Sequence, residues 1–169
     1  MYDPFEDLLH RTGYTVGVTP DLPASDAWLI CEDRTILLNE ALDPAQRRTM
    51  CAHMLAHVDL GHPAHLASAD HTVCHEVEAQ RLAARRLIEL PDLSWALAHV
   101  GAEADLIAQQ LGVTVSLLAK RVRHLVADEA QALMSIGRRI IWPSTPAAPP
   151  LRCTVIRSLP PRPPLHTYN

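Results

Sequence analysis

Two histidines four residues apart, His53 and His57, sit in the stretch Arg47-Arg48-Thr49-Met50-Cys51-Ala52-His53-Met54-Leu55-Ala56-His57-Val58-Asp59-Leu60-Gly61-His62. On a helix this spacing projects both imidazoles from one face, the way a single helix offers two nitrogens to zinc. Hydrolysis at such a site needs a general base to take a proton from zinc-bound water. In the H-E-x-x-H pattern the base is the glutamate directly after the first histidine. Here that position is Met54, similar to glutamate in length but unable to accept a proton.

A third ligand is expected downstream, in Glu76-Val77-Glu78-Ala79-Gln80-Arg81-Leu82-Ala83-Ala84. At helical spacing Glu76, Gln80, Ala83 and Leu87 share a face, and its small residues let two helices approach closely with a carboxylate turned toward the histidines. Two histidines and a glutamate complete a three-ligand site with one position open to water. His71, Cys74 and His75 are competing donors, and histidines with Cys74 would form a structural zinc site closed to water. Consecutive helix residues diverge by about 100°, however, so Cys74, His75 and Glu76 cannot all face one ion. Asp59 lies two residues beyond His57, about 200° round the helix, and so points off the metal face, a poor substitute for the base. His62 has two readings, a polar group near the site or a helix C-terminal histidine interacting with free carbonyls. Met54 also has a packing role, extending an apolar stripe with Met50, Cys51, Leu55 and Val58.

The elements that must position these groups follow from local signals. Residues 3–12 read as a short amphipathic helix stopped by Gly13. Tyr14–Val18, Ala27–Cys31 and Thr35–Leu38 read as strands, with Glu32-Asp33 as a tight turn that lacks the usual glycine. A small sheet beside the metal helix offers an edge strand for an extended peptide. Asp43 as N-cap and Pro44 in the first turn open the histidine helix, which runs to about Leu60 and stops at Gly61. Residues 62–71 are expected as loop and 72–89 as helix, ending before Pro91. Residues 93–139 are helical in pattern, broken at Gly101, Gly112 and near Val126. Residues 143–169 hold eight of the 14 prolines and read as an extended or disordered tail. Within it Cys153-Thr154-Val155-Ile156 is read as linker, with added strand as the alternative.

Composition narrows the classes. The 169 residues suit one domain or one domain plus an appendage, and 48% hydrophobic content with 4% aromatics points to an aliphatic, alanine-rich and largely helical core. A formal net charge of −4 gives no support for broad binding to nucleic acid or anionic membrane. Cys31, Cys51, Cys74 and Cys153 show no paired spacing and read as reduced thiols of a cytoplasmic protein. Neither an N-terminal signal nor a run of 18 apolar residues is present, which argues against export and membrane spanning.

Taken together, Arg48…Ala52-His53-x-x-x-His57…Gly61-His62 and Glu76-x-Glu78-Ala79-Gln80-x-Leu82-Ala83-Ala84 resemble the ImmA/IrrE family of metallopeptidases over about residues 1–125. Gln80 stands where that family usually has asparagine, and Pro91 falls two positions later than the family proline. The resemblance implies an α+β, zincin-like fold and a Zn²⁺ ion held by His53, His57 and Glu76. It further implies a cytoplasmic endopeptidase acting on a repressor-like protein of a phage or mobile element. Met54 in the place of the base implies that hydrolysis is impaired. The expected division is a zincin-like domain over residues 1–92, a helix-turn-helix-like segment packed on it over 93–141, and the proline-rich tail over 142–169. In that segment Lys120, Arg121 and Arg123 give a basic side able to meet phosphates, but the acidic total charge and the scarcity of base-reading Asn or Gln there favour packing against the metal domain over DNA. The alternative function is a DNA-binding regulator using residues 105–125, with a metal-sensing upper domain.

Overall fold

In the computed structural model, residues 1–22, 26–63, 69–144 and 151–158 are described, with side chains from 73 onward in the segment that begins at 69. The chain order is α1 (Pro4–Leu9), β1 (Thr15–Thr19), β2 (Asp26–Ile30), β3 (Thr35–Asn39), α2 (Pro44–Asp59), α3 (Ala69–Leu87), α4 (Leu90–His99), α5 (Ala104–Leu111), α6 (Val115–Arg123), α7 (Ala127–Met134) and β4 (Arg152–Ile156). This is an α+β fold with a small mixed sheet, as a zincin-like domain requires.

The sheet order is β1-β3-β2-β4. β2 and β3 form an antiparallel hairpin, and β1 joins the outer side of β3 in parallel. With no glycine in its turn, the hairpin places Arg34 at φ 48°. β2 is buried at four of five positions rather than alternately, as expected for an interior strand covered on both faces. Ala27, Leu29, Ile36 and Leu38 form one apolar cluster with Met50, Cys51, Met54 and Leu55 of α2. The sheet thus lies directly on the histidine helix.

β4 corrects the linker reading of Cys153–Ile156. It pairs in parallel with β2, with Ala27 opposite Cys153 and Ile30 opposite Ile156. Leu151, Cys153 and Val155 pack against the cluster beneath the sheet. The open edge of β2 and this apolar surface together hold a segment whose surrounding prolines argue for a linker.

A second cluster links the helices. Ala52 and Ala56 of α2 and Ala79, Ala83 and Ala84 of α3 join Leu93, Leu97, Ile107, Leu111, Leu117 and Leu118. Small side chains on both helices allow their close approach. Arg48 of α2 donates to the carbonyls of Leu111 and Gly112 at the end of α5, at 2.7 and 3.1 Å. Among the described residues, no helix is long and apolar enough to cross a membrane.

Candidate metal centre

The first two donors arrive on α2. Asp43 accepts from the Gln46 amide at 2.8 Å, and the Gln46 side chain returns the bond to the Asp43 amide at 2.9 Å, a capping box that fixes where the helix begins. The far end is equally defined. Gly61, at φ 65°, lets its amide reach the carbonyl of Val58 and the His62 amide reach that of His57. This left-handed cap folds the chain back, so that the His62 ring lies beside the His57 ring.

His53 and His57 are both buried, at 5% and 2% exposure. Their Nε2 atoms are 2.9 Å apart. Two imidazole lone pairs cannot face each other at that distance without a proton or a cation between them. Glu76, on α3, puts Oε2 3.2 Å from His53 Nε2 and Oε1 3.3 Å from His57 Nε2. The two histidines and the carboxylate expected from the sequence are thus brought together.

Cys153 joins them. Its Sγ lies 3.2 Å from His53 Nε2, 3.9 Å from His57 Nε2, and 2.9 and 3.0 Å from the Glu76 oxygens. Burial pushes the Glu76 carboxyl upward, but hydrogen bonds from His53, His57 and Cys153 outweigh it and hold the group well below the usual carboxylate range. Desolvation keeps the His53 imidazole neutral, the form that ligates metals. The Cys153 thiol is pushed up by burial and by the Glu76 charge, so it donates to that carboxylate until a cation reverses the balance. Two imidazoles, a carboxylate and a thiol are a donor set suited to a divalent ion of borderline softness.

Met54 is completely buried in the cluster under the sheet, which is the packing role open to it from the sequence. The Asp59 carboxylate is bound by Arg11 and Arg86. His62 Nδ1 is 3.0 Å from His57 Nδ1, and its Nε2 is 3.3 Å from Glu78 Oε2. Of the competing donors, Cys74 is exposed, and His75 stacks on His62 with ring centroids 4.0 Å apart. The His71 side chain lies outside the described residues.

A cavity of about 900 Å³ opens beside the donors, lined by His53, Glu76, Gln80, Lys120, Leu151 and Cys153 among others. Lys120, from the basic side of α6, therefore faces this cavity. Arg121 corrects the phosphate-contact reading. It is 3% exposed, its Nε donates to the Ile88 carbonyl at 3.0 Å, and its outer nitrogens grip the Glu129 carboxylate at 2.9 and 2.6 Å. Its place on the buried side follows from its spacing to Leu117 and Leu118, both core residues. Of the three basic residues only Arg123 is exposed.

A small sheet laid on a helix with paired histidines, faced by a glutamate from the next helix, defines a metallopeptidase-type domain. Residues 10–123 match the family model described as the IrrE N-terminal-like peptidase domain, and the chain belongs to that ImmA/IrrE-type family. No curated protein and no solved structure matches the chain. Family and donor cluster together point to a bound metal ion.

Proposed function

We propose that this chain is a zinc-binding member of the family whose hydrolytic activity is impaired and whose role is to engage a repressor-like protein partner in the cytoplasm. The observation that carries the metal assignment is the convergence of His53, His57 and Glu76 within 3.3 Å of one another. When bound there, zinc supplies Lewis-acid polarisation of a peptide carbonyl and acidifies a water. What the chain itself contributes is position: α2 fixes the two imidazoles, and α3 carries the carboxylate against them.

The impairment reading rests on Met54. General-base catalysis accounts for roughly 10²–10⁴ in rate, and among the described residues neither acid–base candidate near the donors is placed to replace the glutamate. Asp59 is held by two arginines, and His62 sits behind His57. The repressor-like partner comes from the family resemblance, as does the cytoplasmic setting. Binding to DNA through residues 105–125 is disfavoured by the burial of Arg121 in its ion pair with Glu129.

The test is metal analysis of the purified chain beside His53→Ala, together with incubation with repressors encoded near its gene. About one zinc per chain, lost in the variant, with partner binding but no cleavage, is the expected result. Cleavage at a rate typical of a glutamate-bearing zinc peptidase would sink the impairment.

A further inference from the structure

We propose that Cys153 is a fourth protein ligand to the metal, which makes strand β4 an intramolecular stopper over the ion. This rests on the reading of His53, His57 and Glu76 as the other three ligands.

Zinc bonds of about 2.0–2.1 Å to nitrogen or oxygen and 2.3 Å to sulfur, in a tetrahedron, imply ligand–ligand edges of roughly 3.3–3.6 Å. The shortest separations between the residues of the cluster run from 2.9 to 3.9 Å. Each of the four faces the other three, as the corners of a tetrahedron do. With Cys153 included, the ion has no position left for water.

Cys153 is delivered by a strand in fixed register with β2, not by a loose tail, and Ala27 is its partner. The pairing continues past the strand, where the Cys31 and Glu32 amides donate to the carbonyls of Ile156 and Arg157, each at 2.9 Å. β4 thereby occupies the sheet edge on which an extended peptide would otherwise add as a strand. One segment fills the position left on the metal and covers the adjoining peptide-binding edge.

Met54 fits the same account from an independent direction. Leu151, Cys153 and Val155 pack on the apolar cluster that contains Met54. A closed four-ligand site is the structural type of zinc site and has no water to deprotonate. Methionine in place of the base and cysteine in place of the water are two substitutions with one consequence.

Cobalt(II) titration of the full chain tests this, because a thiolate ligand gives an intense near-ultraviolet sulfur-to-cobalt charge-transfer band. The wild-type chain is expected to show that band with tetrahedral visible absorption, Cys153→Ser to bind cobalt without the band, and Cys74→Ser to keep it. Zinc competition against a chromophoric chelator should show Cys153→Ser weakened by more than the roughly 10–100-fold typical of a residue that only supports a ligand. Amide exchange across residues 152–156 should slow when zinc is added, in the wild-type chain alone. Cobalt bound by the wild-type chain without the band overturns the proposal and leaves the three-ligand site standing. A band that survives in Cys153→Ser assigns the thiolate elsewhere and also overturns it. No cobalt bound by the wild-type chain overturns both readings.

Discussion

His62 Nδ1 lies 3.0 Å from His57 Nδ1, directly behind the imidazole whose other nitrogen faces the cluster. With a metal ion in the cluster, one set of tautomers, assigned from this network, satisfies the His57–His62 and His62–Glu78 contacts. His57 carries its proton on Nδ1 and donates to His62, and His62 carries its proton on Nε2 and donates to Glu78 at 3.3 Å. That leaves the His57 Nε2 lone pair for the metal and fixes the ring plane. Supporting partners of this kind are worth about 10–100-fold in metal affinity. His62→Ala should therefore weaken zinc by that factor in chelator competition while the circular dichroism stays native. Unchanged affinity would remove His62 from the site.

Close approach of α2 and α3 is what carries Glu76 to the histidines. Ala52, Ala56, Ala79 and Ala83 are all fully buried in the cluster that includes both helices. Ala79→Leu adds volume to a packed interior, at a cost of about 1–3 kcal/mol. Because Glu76 lies one turn before Ala79 on the displaced helix, metal occupancy should fall along with Tm. Cys74→Ser, at an exposed position of the same helix, should change neither. Calorimetry with metal analysis on the two variants separates these outcomes.

The pairing of Met54 with Cys153 makes a sharper prediction. Restoring the base alone, as Met54→Glu, places a carboxyl group in a fully apolar cluster, where its charged form is heavily penalised. It also leaves the fourth donor in place. Met54→Glu should be destabilised and still inactive, whereas Met54→Glu combined with Cys153→Ser should gain peptide hydrolysis. Cleavage assays on a repressor substrate, with and without chelator, decide it. Equal activity in the single and double variants would show that β4 does not obstruct the site.

The legible part of this molecule was the local part. His53, His57 and Glu76 stand at helical spacings, and Asp43, Pro44 and Gly61 mark the ends of the helix that holds the histidines. Cys153 was not legible as a donor, because its place is set by pairing with Ala27 across the sheet and not by any local spacing. The β-branched run Thr154-Val155-Ile156 was the available signal, masked by the prolines around it. The buried place of Arg121 is hard to see for a related reason. Counting basic residues on α6 does not say which face is inward, although its spacing from Leu117 and Leu118 does.

The buried Arg121 gives a pH prediction. Its guanidinium lies in a two-pronged ion pair with Glu129, and the Val126 amide adds a third bond to that carboxylate at 3.2 Å. The Arg121 bonds lead in holding the Glu129 carboxyl down at about 2, against its ordinary 4.5. A carboxyl lowered in the folded state contributes stability that is fully present above the unfolded value. That contribution fades as pH falls from about 5 toward 2. Glu129→Gln at neutral pH leaves Arg121 buried with only the Ile88 carbonyl and a neutral amide, and removing one partner of a buried pair costs about 3–5 kcal/mol. The Tm difference between wild-type and Glu129→Gln chains should thus be large at pH 7 and shrink as the solution is acidified through that window. Tracking the difference, not the wild-type Tm alone, cancels the acid response of Asp7 and Asp59, which arginines also hold below their ordinary values. A difference that stays constant with pH would mean that the ion pair contributes nothing through its charge.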